Sequence, residues 1–429
     1  MTTKKAKQGP LKEKHHYIPR FILRNFATND YKRKFVMSPN YQHKALSFKN
    51  NKNQLHLQTY KKEENQLSVS LIKDTYEYSN MYIDLNNEKV MHVEKELSVL
   101  ECKASKVIRD IIEKSQNEKQ ITLFRRDLYD LRKFLFVMDY RKPHRCTQFT
   151  KEKFDHPTWL KVKEFMRQCN LQSERDVWLQ NIFQILKTPH KEIKDNPLVF
   201  EIDRDDYKQR MVDCFLVIWQ AGESDEFLMT NNGFGTFEGV SGKVVEGLPF
   251  QFPYHHFYVI SPKLVLVLCH SSFRGGIFEL DKLFWYEKMG FRRSLFDNDP
   301  HPPATPNYVG KADASQNAQS FDMPFDSHMH ENGLKRVDND TFTFLFVKIS
   351  SATVNLVNSI ILNETDEQDL VVSFISPSYL YKTIVKYHKN HQVGTAQNFS
   401  NMKIKLFTAL NKTHEEDLSL RRNIPADHS

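Results

Sequence analysis

Between residues 91 and 115, apolar side chains recur at Val93, Leu97, Leu100, Ala104, Val107, Ile108 and Ile111, the spacing that lines one face of an α-helix. Burying each large member of that stripe contributes about 1.5 to 3 kcal/mol before conformational entropy is subtracted. A second stripe, Phe124, Leu128, Leu131, Leu135 and Met138, predicts a helix from Thr122, a good N-cap, to about Arg141, with Pro143 just past its end. Helical patterns recur at about 159–187 and 205–220, so the first half of the chain reads as mostly α. Ahead of these, Pro19 suits the first turn of a short helix in which Ile18, Phe21, Ile22 and Phe26 share a face. Residues 30–85, rich in lysine, asparagine and tyrosine, suggest irregular structure with one or two short strands.

Near residue 225 the pattern changes. EFLMT, HHFYVISP, KLVLVLC and TFTFLFVKI are strand-like, and Gly233, Gly235, Gly239, Gly242 and Gly247 fall among them. Their spacing in GFGTFEG departs from GxGxxG and no helix follows, so tight β-turns account for them better than a phosphate loop. The proline-rich polar stretch 296–330 reads as a long disordered loop. A helix near 351–362, the strand VVSFIS at 371–376, a helix near 378–389 and a charged, frayed tail from about 412 complete the chain. The pattern predicts an α+β protein, its helical N-terminal half packed with a mixed or antiparallel sheet in the C-terminal half. It divides into a disordered basic arm (1–14), a mainly helical region (15–220), a β-rich region (221–295), a disordered loop (296–336), an α/β region (337–410) and a tail (411–429).

Composition adds limits. A chain of 429 residues suits two domains, or one large domain with insertions. With 40% hydrophobic and 27% charged residues it has the make-up of a globular protein. Its five cysteines (Cys102, Cys146, Cys169, Cys214, Cys269) are widely spaced and never form CxxC, which argues against a disulfide scaffold and a thiolate zinc site. The longest apolar run, LVLVLC, is far below membrane-spanning length. A cytoplasmic or nuclear protein without a membrane span is expected.

Charge is unevenly placed: residues 1–60 carry 13 Lys and Arg against 2 acids, while the whole chain nets +8. Such a block attracts polyanions such as nucleic acid, although Lys4, Lys5, Lys7 and Lys12 also suit a solvated tail. Lys32, Arg33 and Lys34 would serve as a nuclear import patch.

Neither GxSxG nor HExxH appears, so the common hydrolase and metalloprotease signatures are absent. His328 and His330 offer a weak metal pair in the proline-rich loop. Alternation along the strand sends one of His255 and His256 inward, where a satisfied core histidine is the plain reading. Glu94 and Glu101, seven apart, fall at one border of the first stripe and suit either a hard cation or arginines across a helix interface. Arg20 and Arg24 are four apart on another face of the first short helix. Arg141 and Arg145 bracket Pro143 where the helix dipole favours cations.

These residues recur in one order. HHYIPRFILRNF at 15–26 resembles the opening signature of the domain of unknown function 4238 family, roughly (Q/H)HYVPRFYLRNF. Glu94, Leu97 and Glu101 look like that family's E-x2-L-x3-E helix, and Arg141, Pro143 and Arg145 look like its RxP element. FLMTNNG at 227–233 occupies the place of its FxTSDNPV turn, FYVISPKLVLVL that of its PLSP strand, and Asn355 to Asn358 that of its asparagine-bearing helix. The family's Asp is Asn231 here and its proline is Gly233. The resemblance covers most of residues 14–375 and implies an α+β fold, with no accepted activity attached.

The motif residues are expected to converge on one cleft. His15, His16, Glu94 and Glu101 are the candidate catalytic groups, a histidine acting as base or metal ligand and the glutamates holding a divalent cation. Arg20, Arg24, Arg141, Arg145 and Asn231 would bind substrate. That set suits a phosphate-bearing ligand or nucleic acid, with metal-dependent phosphodiester hydrolysis as the reaction. The alternative is a non-enzymatic structural or interaction module in which Arg141 and Glu101 form an internal ion pair.

Overall fold

The computed structural model describes residues 13–27, 55–84, 91–245, 248–307, 338–364, 370–393 and 398–422. The expectations for the arm before residue 13, the import patch at 32–34, the histidines 328 and 330 and most of the proline-rich loop lie outside these residues. Among the described residues, no helix is long and apolar enough to cross a membrane.

The architecture is α+β, but strands are not confined to the C-terminal half. β1 (Lys14–His16) leads into the short helix Arg20–Leu23 and the 3-10 turn Arg24–Phe26. β2 (His56–Lys61), β3 (Gln66–Leu71) and β4 (Glu77–Ser79) come before the long helix His92–Asn117. That helix buries all seven residues of the stripe read from the sequence. β5 (Gln120–Phe124) then precedes the helix Arg125–Tyr140.

Thr122 is therefore a strand residue and caps no helix. Alternation in QITLF buries Ile121 and Leu123, and Thr122 sits opposite Thr343. The first amides of the following helix are satisfied by backbone: Arg125 N–H donates to the Asp340 carbonyl and Arg126 N–H to that of Asp338. Three further helices, Pro143–Thr150, His156–Cys169 and Glu174–Lys187, continue the helical layer.

The helical reading of 205–220 is also corrected. The helix Glu201–Val212 stops there, and β6 (Cys214–Gln220) takes over. Its run CFLVIWQ is aromatic and β-branched, and the strand is buried along nearly its whole length, so it shows no alternation.

β7 (Met229–Thr230), β8 (Phe234–Val245), β9 (Leu248–Ser261), β10 (Leu264–His270), β11 (Thr305–Asn307) and β12 (Thr341–Lys348) follow. The main sheet runs β11-β12-β6-β10-β9-β8, with β5 also on β12. It is mixed, because β12 pairs with β6 in parallel while the other pairs are antiparallel. β13 (Val371–Phe374), after the helix Ser351–Asn363, belongs to a smaller antiparallel sheet of order β3-β2-β13-β7. The helices Pro377–Tyr387 and Ser400–Arg422 end the described chain, so the backbone stays helical beyond residue 412.

The described glycines of the cluster near 235 lie mostly in strand β8 and not in tight turns. Pairing of β8 with β9 shifts register between Phe234 and Thr236, Glu238 and Gly239, and Val240 and Lys243, which marks β-bulges. A Cβ on Gly239 would lie 2.2 Å from the Phe252 carbonyl oxygen, and Gly235, at φ +72°, passes so close to Asp139 that a Cβ would meet its Cγ at 2.6 Å. Both positions need glycine for close approach.

Candidate functional site

Four of the residues singled out in the sequence, His15, His16, Glu94 and Glu101, meet around Arg141, which is fully buried. Its Nε donates to the Tyr17 carbonyl at 3.1 Å and its Nη2 to the His16 carbonyl at 3.0 Å. Nη1 bonds Glu101 Oε1 at 2.7 Å. The Tyr82 ring lies 5.8 Å from the guanidinium carbon, and His15 packs edge-on against that ring at 5.2 Å. Burial pushes the Glu94 carboxyl up while Arg141 draws it down. Burial also lowers His15, and burial followed by Arg20 lowers His16 to about 4, so both rings are neutral at pH 7. The guanidinium thus clasps the first strand of the chain to the long helix.

The remaining candidates lie elsewhere. Arg20 and Arg24 are exposed on the short helix. Asn231 is buried, and its Oδ1 accepts the Val371 N–H at 2.9 Å, tying the turn after β7 to β13. Asn358 of the helix Ser351–Asn363 acts similarly: its Oδ1 accepts the Leu228 N–H at 3.0 Å and its Nδ2 donates to the Glu226 carbonyl at 2.9 Å.

Arg145 opens onto a different feature. Pro143 starts a new helix directly after Arg141, and this turns Arg145 into a cleft of about 1040 Å³. The helix end supplies Asp139, Lys142 and Arg145, the helix Glu201–Val212 supplies Asp203 and Arg210, and β9 supplies His256. Asp139 is held by Lys142 at 2.5 Å and Arg210 at 2.5 Å. Arg210 also bonds Asp206 through Nε at 2.9 Å, and Arg145 pairs with Asp203 at 2.5 Å. Asn181 Nδ2 donates to the other Asp203 oxygen at 2.8 Å.

Burial alone would raise the Asp139 carboxyl, but Lys142 and Arg210 beside it hold it well below the usual carboxylate range. For Asp203 burial prevails over Arg145, and its carboxyl is pushed up. His256 is buried, and neither ring nitrogen has a hydrogen-bond partner among the described residues. Burial, reinforced by Arg210, holds it well below the ordinary imidazole range, so it is neutral. A neutral imidazole beside a fixed carboxylate–guanidinium network can accept a hydrogen bond from a bound ligand or water.

Sequence reading missed Asp139, Asp203 and Arg210, and left open which of His255 and His256 points into the core. A signal existed for part of it: DYRKPHR, residues 139–145, holds Asp139, Arg141, Lys142 and Arg145 in seven positions. Of the residues proposed as cation ligands, Glu101 already has one carboxylate oxygen on Arg141. The one group of closely spaced metal-type donors among the described residues is His255, Cys269 and His301.

No curated protein and no solved structure matches this chain. A match over residues 14–373 shows that the chain belongs to the family described as Protein of unknown function (DUF4238).

Proposed function

We propose that this protein binds a small phosphate-bearing ligand in the cleft between Asp139, Arg210 and His256, and that His256 orients the water that hydrolyses it by accepting a hydrogen bond. The observation that carries the reading is His256: a buried, neutral imidazole whose ring nitrogens have no hydrogen-bond partner among the described residues, in the wall of a cleft also lined by Lys142, Arg145, Lys153 and His144. Cations fixed at a rim stabilise phosphoryl charge as it develops. The cleft is at the upper end of the roughly 300 to 1,000 Å³ common for ligand pockets. Asp203, Asp205, Asp206 and Glu364 are interleaved with the cations, which favours a compact ligand over a strand of nucleic acid. Arg141 takes no part in binding in this reading; with Glu101 it fixes the helix end from which Asp139, Lys142 and Arg145 project.

The test is calorimetric titration of the full-length protein with pyrophosphate, a nucleoside monophosphate and a short single-stranded DNA, alongside turnover of an aryl phosphodiester. Binding of the small ligands that weakens in Lys142→Gln, with turnover lost in His256→Gln, supports the reading. If no small phosphate binds, the reading fails, and binding of DNA alone would return the question to the basic N-terminal block.

A second reading, a non-enzymatic module, is favoured by the Arg141 clasp, in which the guanidinium is taken up by Glu101 and the carbonyls of His16 and Tyr17. Small-ligand binding without turnover is its expected signature.

A further inference from the structure

On the face of the main sheet opposite the cleft, one row of cross-strand neighbours reads Glu238, His255, Cys269: Glu238 lies opposite His255 across β8 and β9, and His255 opposite Cys269 across β9 and β10. Directly opposed residues share a face. A fourth residue, His301, comes down onto this row from the segment after β10, and the ring nitrogens His255 Nε2 and His301 Nε2 approach to 2.8 Å. One ligand-type atom from each of His255, Cys269 and His301 lies within 4.8 Å of the others. We propose that these three side chains form a binding site for a divalent transition ion of zinc's borderline softness.

The donor set fits. Two imidazole nitrogens and one thiolate are what zinc prefers, and three protein ligands leave a fourth position for water or a small ligand. Zinc–nitrogen and zinc–sulfur bonds of roughly 2.0–2.1 and 2.3 Å put tetrahedral ligands about 3.3 to 3.6 Å apart. The observed spacing brackets that range, so small rotations of the two rings admit an ion.

The supporting shell is built as such a site requires. Glu238 Oε2 is 3.0 Å from His255 Nδ1, which keeps the proton on Nδ1 and leaves the Nε2 lone pair facing His301. The carboxylate is itself fixed, because Ser294 Oγ donates to Oε2 at 2.9 Å and the Leu295 N–H donates to Oε1 at 3.1 Å. Trp219 Nε1 donates to the Pro300 carbonyl at 2.9 Å, and Thr353 Oγ1 donates to Asp299 Oδ1 at 2.6 Å. These two bonds seat the segment that carries His301. Trp219, Phe273 and Phe296 pack around the histidines, while His301 itself is half-buried and gives an ion a route in.

The full-length protein, stripped with a chelator, is titrated with Co²⁺ and then Zn²⁺. One Co²⁺ per chain, with a near-ultraviolet thiolate-to-cobalt charge-transfer band that Zn²⁺ abolishes, is expected. Cys269→Ser removes the band. Glu238→Gln, which spares all three ligands, weakens binding about 10- to 100-fold. His301→Asn, at the half-buried position where the fold is least disturbed, weakens it at least as far. A wild-type protein without the band, or Co²⁺ binding that none of these variants changes, overturns the proposal. Phosphate binding in the cleft is on the other side of the sheet, and its outcome leaves this one independent.

Discussion

Arg141 and Glu101 meet at 2.7 Å, with the other guanidinium nitrogens on the carbonyls of His16 and Tyr17. Removing the arginine leaves two buried carbonyls and a carboxylate oxygen without their donor. Arg141→Met is expected to cost about 2 to 4 kcal/mol, because both carbonyls and the carboxylate lose a charged donor. Glu101→Gln keeps a hydrogen-bond acceptor at a partly exposed position and costs less, about 1 to 2 kcal/mol. Urea unfolding of both variants checks the order; equal, small losses would mean the clasp is not structural.

His256 offers a sharper separation of chemistry from folding. His256→Gln keeps polar atoms of similar reach in the cleft but removes the basic ring. If the imidazole orients the attacking water, phosphodiester turnover falls by about 10²-fold, while the affinity for pyrophosphate changes little. Steady-state kinetics and calorimetry on the same preparation distinguish the two. Turnover equal to wild type removes His256 from the reaction.

Acid should loosen the amino-terminal strand. In the unfolded chain His16 takes up a proton near pH 6.5, whereas in the fold burial and Arg20 delay this to about pH 4. Between those values the unfolded state binds more protons, so stability falls as pH drops from 6.5 toward 4. Other buried neutral histidines, His190, His256 and His270, act in the same direction. The urea midpoint followed across that window should decline, and less steeply in His16→Gln. An identical slope in that variant would assign the acid response to the other histidines.

The long helix was legible because its seven apolar positions share one face and nothing local competes with the pattern. Residues 120–124 misled because a helical stripe can be extended back through Phe124, while pairing with β12, a partner 221 residues away at Thr343, is what makes them a strand. β6 misled for a related reason: buried on both faces, it carries no alternation. At the candidate site, side-chain types announced the ion pair of Arg141 but not its two backbone carbonyls, since a carbonyl acceptor leaves no mark on the sequence. His255 and His301 were illegible as a pair because 46 residues separate them and only the seated segment after β10 brings them together.

Gly239→Ala tests what keeps the sheet in step. A Cβ there has nowhere to go against the Phe252 carbonyl, so the bulge must move, and loss of Co²⁺ uptake together with loss of phosphate binding is the expected result. A variant that retains both would show that the strand can shift without consequence.

Strand β9 holds His255 toward Cys269 and His256 toward the cleft, and side chains on a strand change sides with every single step. The bulged glycine is thus a registration mark for two chemistries at once. One residue of slippage would exchange the adjacent histidines, delivering to each compartment the ring meant for the other. The same slip would turn over Phe257, Tyr258 and Val259 with them, so one glycine guards the core and both compartments together.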